Sequence, residues 1–266
     1  VPHYERKQKY SESKKYLGDQ MKQNIYAHRG LPKLAPENTM AGFEMMPEFG
    51  IKWFETDIAI TEDGELVICH DDLLDRTTNL TGEISSLPYR YIETADAGSW
   101  FGKKYAQEKL PTMDDLVSFI NRTKMNVNLE LKGISGENGF KLLDILVAKF
   151  TNYLEDINPE VEILISSFNP ILLSKVHEKA PTYKYALLFE DYTFNPDWQL
   201  LADCCGASAI HMEDDGLTKE KVEQVKKRGH ELNVWTVDNS ERAQELFNWG
   251  VDGIFTNCAH TFSEKV

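Results

Sequence analysis

The sequence has no apolar run near the roughly 18 residues that cross a bilayer as a helix, and so no membrane span is expected. It has no glycine-rich nucleotide fingerprint after any strand candidate, which argues against a dinucleotide-binding open sheet. It has no internal repeat and no low-complexity tract. Positive charge is scarce: 29 Lys and Arg face 43 Asp and Glu, for a net charge of −14. A nucleic-acid partner needs a basic face, so none is expected. An anionic small molecule stays open, because a metal or a few cations can reverse the potential inside a cleft. Cysteine is sparse as well. Cys69, Cys204, Cys205 and Cys258 have neither zinc-ribbon nor redox spacing. They are expected to be buried free thiols. No signal peptide is visible. The chain reads as soluble, either cytoplasmic or exported after loss of an N-terminal signal that is not in it. The oligomeric state is left open.

What is present is a soluble globular composition, 41% apolar and 27% charged over 266 residues. That length can build one large α/β barrel or two ordinary domains. Residues 1–23 are polar and read as a flexible or loosely helical extension. Strands and helices then alternate. Strands are predicted at 24–28, 53–60, 127–131, 162–167, 185–189, 207–212, 232–237 and 252–256. Helices are predicted at 39–48, 112–122, 137–152, 170–179, 197–204, 218–228 and 240–248, with Gly50, Gly229 and Gly250 as stop signals. Eight strands in repeated β-α units suggest a (β/α)8 barrel. The stretch 72–111 interrupts the alternation, as a functional loop or a small subdomain does.

Within this frame one hairpin concentrates chemistry. Asp63-Gly64 predicts a two-residue turn, which pairs Ile60 with Val67 and places Asp57 opposite His70. Glu55 shares a strand face with Asp57. Catalytic groups of a barrel collect where strands end. There the sequence brings His28-Arg29, Glu55, Asp57, His70, Glu130 and Lys132, with Trp235 and Thr256-Asn257 on later strands. Three carboxylates in one pocket call for a cation, and oxygen ligands select Mg²⁺, Ca²⁺ or Mn²⁺. Arg29 and Lys132 suit a phosphate. Two histidines can give and take a proton near neutrality. Together these parts describe phosphodiester cleavage.

The chain also resembles the glycerophosphodiester phosphodiesterase family. The resemblance rests on motifs in family order over about 24–258: His28-Arg29-Gly30, Pro36-Glu37-Asn38-Thr39, Glu55-Thr56-Asp57, Thr61-Glu62-Asp63-Gly64 and His70-Asp71. They continue with Leu74-Asp75-Arg76-Thr77-Thr78, Asp96-Ala97-Gly98-Ser99-Trp100-Phe101, Pro111-Thr112, Glu130-Leu131-Lys132 and Ser167-Phe168. Trp235-Thr236-Val237 and Gly250-Val251-Asp252-Gly253-Ile254 complete them. The resemblance implies a distorted (β/α)8 TIM barrel domain over 24–262, with a small inserted subdomain at about 72–111. It implies metal-dependent hydrolysis of glycerophosphodiesters to glycerol 3-phosphate and an alcohol. Carried over by motif, His28 and His70 form the acid–base pair. Glu55, Asp57 and Glu130 bind one divalent cation, Mg²⁺ or Ca²⁺, with Mn²⁺ as a third option. Arg29 and Lys132 hold the phosphate, and Trp235 walls the glycerol pocket. The glycerol 2-hydroxyl attacks phosphorus, the alcohol leaves, and water opens the cyclic phosphate. One departure is Asp238, where many members carry Asn.

Other readings stand beside these. The same residues fit a phospholipase D acting on lysophospholipids, or a non-catalytic metal- or phosphate-binding barrel. The histidines fit a zinc-type site. Glu37 and Asn38 are a helix cap and its neighbour, or Glu37 orients Arg29. His211 is read as a structural histidine. His3, His177, His230 and His260 are read as surface residues, and Trp100-Phe101 as the core of the insertion. Trp235 is pocket wall or barrel packing.

Overall fold

A computed structural model describes residues 23–135 and 138–262. The extension expected over 1–23 therefore lies, but for Gln23, outside the described residues. The strands are β1 (Asn24–Ala27), β2 (Trp53–Ile60), β3 (Leu66–Ile68), β4 (Asn126–Leu131), β5 (Ile163–Ser167), β6 (Lys184–Phe189), β7 (Ala209–Glu213), β8 (Glu231–Trp235) and β9 (Gly253–Thr256). All but β3 run parallel, in the order β1-β9-β8-β7-β6-β5-β4-β2. A short parallel pairing closes the ring, with Tyr26 beside Trp53 and Ala27 beside Phe54. This is the expected (β/α)8 barrel.

The helices are α1 (Met40–Met45), α2 (Tyr89–Ile92), α3 (Met113–Thr123), α4 (Gly139–Asp156), α5 (Pro170–Lys179), α6 (Trp198–Cys204), α7 (Lys219–Lys227), α8 (Ser240–Trp249) and α9 (Ala259–Phe262). Side-chain caps start several of them. Thr112 and Asp115 form a reciprocal capping box on α3, and Asn169 accepts from the Ile171 and Leu172 N–H groups on α5. The helix expected over 39–48 ends at Met45 and continues as a 3-10 turn over Met46–Phe49, because Pro47 lacks an N–H. No helix among the described residues is long and apolar enough to cross a membrane.

Strand alternation sorts the core. On β2, Phe54, Ile58 and Ile60 pack outward into the main core, which also holds Phe43 and Phe119 from α1 and α3. Trp53 faces the barrel axis with Tyr26, Leu164, Ala186, Ala209 and Phe255. One step further along the strands, the inward positions turn polar: Glu55, Asp57, Glu130 and His211. The stretch 72–111 has a small core of its own, with Leu74, Ile84, Ile92, Ala97 and Leu110 packed on Ala59, Val67 and Cys69. Phe101 is not in it, and nor is Trp100. Its indole N–H donates to the Ala97 carbonyl at 2.8 Å, and 43% of the residue is exposed. Cysteine burial is also only half as expected: Cys69 and Cys205 are buried, Cys258 is half-buried and Cys204 is exposed.

The hairpin register differs from the expected one by one residue. Ile60 pairs with Leu66, and the Cys69 N–H donates to the Asp57 carbonyl, so Cys69 rather than His70 stands opposite Asp57. The loop has three residues. The Gly64 N–H closes a turn on the Thr61 carbonyl, and Gly64 then takes the left-handed conformation (φ 87°). A glycine bulge after such a turn is the standard three-residue solution. The Thr61 hydroxyl fixes it by donating to Asp63 at 2.6 Å and accepting from the Glu65 N–H at 2.9 Å.

Candidate active site

Glu55 and Asp57 leave the same face of β2, and the β2–β4 register sets Asp57 beside Glu130. One oxygen from each of the three lies within 4.8 Å of the others. All three residues are buried. Glu55 Oε1 and Asp57 Oδ1 have no hydrogen-bond partner. Burial, reinforced by the charges of Asp57 and Glu130, pushes the Glu55 carboxyl well above its usual range. Burial also raises Glu130, against the pull of Lys132. For Asp57 burial is outweighed: Lys132 and Arg29 hold it far below the usual carboxylate value. Buried carboxylate oxygens that lack donors are the acceptors a hard divalent cation needs.

Two cations flank the cluster. Lys132 Nζ donates to Glu130 Oε1 at 2.8 Å and lies 3.4 Å from Asp57 Oδ1. Arg29 has a left-handed backbone (φ 54°), which turns its N–H onto Glu55 Oε2 at 2.9 Å. Its guanidinium donates to Glu37 at 3.0 Å and stands 3.6 Å from Asp57. Glu37 is thus a partner of Arg29 and not a cap; Thr39 caps α1 by accepting from the Gly42 N–H. Asn38, also left-handed, donates to Asp57 Oδ2 at 2.8 Å and accepts from the Thr56 hydroxyl at 2.9 Å.

The histidines are each oriented through Nδ1. His28 Nδ1 lies 2.9 Å from Asn257 Oδ1. The Asn257 amide donates to Asp238 at 3.0 Å, so its oxygen faces His28 and must accept. The His28 proton therefore sits on Nδ1, and Nε2, 3.9 Å from Glu55, carries a lone pair. Burial, helped by Arg29, pushes His28 down to about 4. Asp238, the departure from the family pattern, also accepts from the Thr256 hydroxyl and the Asn257 N–H, so its extra charge is spent holding this turn. His70 Nδ1 lies 2.7 Å from Asp71 Oδ1. Hydrogen bonds from Arg76 hold Asp71 far below the usual carboxylate value.

These groups surround a cavity of about 370 Å³, lined by His28, Arg29, Glu55, His70, Glu130 and Lys132. Its apolar wall includes Leu188, Phe255 and an edge-to-face pair, Phe168 on Trp235, with ring centroids 5.7 Å apart. All eight residues singled out in the sequence meet here, with Asp57 just behind the lining. Asn257, Asp71 and Arg76 had no assigned role in the sequence, although each adjoins or belongs to a motif. His211 lies on the same wall, fully buried, with Nε2 3.2 Å from the Asn233 amide; burial lowers it to about 3. The other histidines are less exposed than expected. His230 is buried against Trp198, and His177 and His260 are half-buried against Tyr185 and Phe49, since an imidazole offers an apolar face for packing. His3 lies outside the described residues.

Known proteins resemble this chain over most of its length. Residues 28–261 match the glycerophosphoryl diester phosphodiesterase family. A glycerophosphodiester phosphodiesterase of Caldanaerobacter subterraneus is 36% identical, over 92% of this chain and 98% of that protein. One from Bacillus altitudinis is 29% identical, over 88% of this chain and 94% of that protein. Among solved structures, an Oleispira antarctica phosphodiesterase in complex with its product sn-glycerol-3-phosphate superposes with a TM-score of 0.84 at 29% identity, covering 91% of this chain and 95% of that one. With its barrel and nearly its whole length in common with these proteins, the chain belongs to the glycerophosphoryl diester phosphodiesterase family and is a phosphoric diester hydrolase.

Proposed function

We propose that the protein hydrolyses glycerophosphodiesters to glycerol 3-phosphate and an alcohol, with His28 and His70 as its acid–base pair. The observation that carries this reading is the pair of buried oxygens on Glu55 and Asp57 that accept no hydrogen bond, flanked by two histidines with Nδ1 already engaged. Glu55, Asp57 and Glu130 would hold one divalent cation, Mg²⁺, Ca²⁺ or Mn²⁺; a ligand set made of carboxylates alone disfavours the zinc-type alternative. When bound, the cation supplies positive charge against the phosphate oxygens.

The chain's own residues do the rest. Arg29 and Lys132 orient the phosphate. His28, with its proton on Nδ1, takes the proton of the glycerol 2-hydroxyl at Nε2 as that oxygen attacks phosphorus. His70, its Nδ1 tied to Asp71, protonates the leaving alcohol from Nε2. The two exchange roles when water opens the cyclic phosphate. Trp235 and Phe168 wall the pocket on the carbon side of the glycerol. Leu73, Tyr91 and Trp100, exposed on the 72–111 insertion, favour a second reading in which lysophospholipids are also cleaved.

The test is product analysis on glycerophosphocholine and lysophosphatidylcholine, before and after chelation and with each cation restored. Glycerol 3-phosphate and choline from the first substrate, lost on chelation and regained with a hard cation, is the expected result. Full turnover in exhaustively chelated enzyme removes the cation from the reading. Choline from lysophosphatidylcholine at a comparable kcat/KM establishes the second substrate class.

A further inference from the structure

Arg29 and His70 reach the cavity from separate loops, one after β1 and one after β3. Each is gripped by a carboxylate: Arg29 by Glu37 and His70 by Asp71. A third side chain joins the two grips. Arg76 donates to Asp71 through Nε and Nη2 at 2.6 and 2.9 Å, and to Glu37 through Nη1 and Nη2 at 2.8 and 2.7 Å. Glu37 Oε1 is shared between Arg29 and Arg76, and Asp71 Oδ1 between His70 and Arg76. A continuous file results: Arg29, Glu37, Arg76, Asp71, His70.

We propose that Arg76 is a positioning residue, a brace that sets the distance between Arg29 and His70 by holding Glu37 and Asp71 in one plane. The proposal rests on the reading above, in which Arg29 holds the phosphate and His70 moves a proton.

Geometry gives the brace its force. Only a guanidinium offers enough donors in a fixed planar fork to engage two carboxylates at once. A lysine keeps the charge but not the fork. The Arg76 side chain is 45% exposed, so its pairs contribute little to folding. Their effect falls on the site. Without Arg76, Asp71 and Glu37 are free to turn, and His70 and Arg29 turn with them. Misplacement by about 1 Å is enough to cost about 10²-fold in rate. Removing Arg76 also leaves the two carboxylates with less compensation near the anionic substrate.

The test compares Arg76→Ala and Arg76→Lys with wild type, Arg29→Ala and His70→Ala, on glycerophosphocholine with saturating Mg²⁺. Both Arg76 variants are expected to lose roughly 10- to 100-fold in kcat. Their Tm should stay within about 2 °C of wild type, and their affinity for Mg²⁺ by calorimetry should be unchanged. Millimolar methylguanidinium should restore part of the kcat of Arg76→Ala, and none of that of His70→Ala. Wild-type kcat in Arg76→Lys overturns the brace, as does a loss in Arg76→Ala that methylguanidinium leaves untouched. Loss of activity in Arg29→Ala and His70→Ala with both Arg76 variants fully active sinks the brace alone. Full activity in Arg29→Ala and His70→Ala sinks the underlying reading and the brace with it.

Discussion

Glu55→Gln separates what the carboxylate cluster costs from what it does. The substitution keeps the shape and an oxygen to accept the Arg29 N–H. It removes one of three carboxylates whose oxygens lie within 4.8 Å. Two like charges at that distance repel by about 3.5 kcal/mol at an effective dielectric of about 20. Lys132 is placed on Asp57 and Glu130, so Glu55 is the least compensated of the three. Screening by Lys132, Arg29 and cavity water leaves a net relief of about 1–2 kcal/mol. For a chain of this size that is a rise of roughly 2–8 °C in Tm for metal-free protein at pH 8. The sign depends on pH. The Glu55 carboxyl titrates above its ordinary 4.5 when folded, so the folded state keeps a proton that the unfolded chain has lost. Wild type loses stability as pH rises from about 4.5 through that raised value, and the advantage of the variant grows over the same span. Below about pH 4.5 the advantage disappears. A cation at a hundred times its Kd should add about 2.7 kcal/mol to wild type and much less to the variant, reversing the order. Calorimetry at pH 5 and pH 8, with chelator and then with Mg²⁺, measures all four corners. A metal-free Glu55→Gln that melts below wild type at pH 8, with equal gains from the cation in both proteins, refutes the reasoning.

Three further outcomes are expected. His28→Ala or His70→Ala should each lower kcat by roughly 10²-fold or more, and the double variant should lose far less than the product of the two; a near-wild-type rate in either single variant makes that histidine structural. A glycerophosphodiester should be cleaved much faster than its 2-deoxy analogue, since an oriented internal nucleophile gains on the order of 7–11 kcal/mol; equal kcat values eliminate the cyclic route. His211 is held neutral by burial down to about pH 3, while in the unfolded chain it gains its proton near its ordinary 6.5. Stability should therefore fall as pH drops from 6.5 toward 3, and His211→Gln should flatten that fall; urea midpoints at pH 7 and pH 5 with the same difference in both proteins contradict it.

The barrel was legible because each β-α unit advertises itself locally: glycine stops such as Gly50 and Gly250, and strands of the right length. The acids were legible because Glu55 and Asp57 need only strand parity, and Glu130 only a strand end. The hairpin register was not. A dipeptide propensity predicted a two-residue loop, but Asp63 is captured by the Thr61 hydroxyl and by the Tyr89 N–H, 26 residues away in the insertion. His70 reaches the cavity regardless, because the chain leaves the ladder after Ile68. The partner that orients His28 was hidden for the same reason. Asn257 meets His28 across 229 residues, and no local pattern announces that contact. Nor does local pattern announce that Arg76 bridges two carboxylates 34 positions apart.

The short seam between β1 and β2 has a consequence for biosynthesis. His28 and Arg29 are among the first site residues to be made, yet β1 is held on its other side by β9, through four register pairs from Asn24–Gly253 to Ala27–Thr256. The amide that sets the His28 tautomer follows directly after β9. A chain still on the ribosome thus carries its acids and both histidines without the strand that aligns them. Hydrolytic competence is expected only once the last strand of the barrel is in place, and a fragment truncated before Thr256 is expected to be inert however well its early strands have formed.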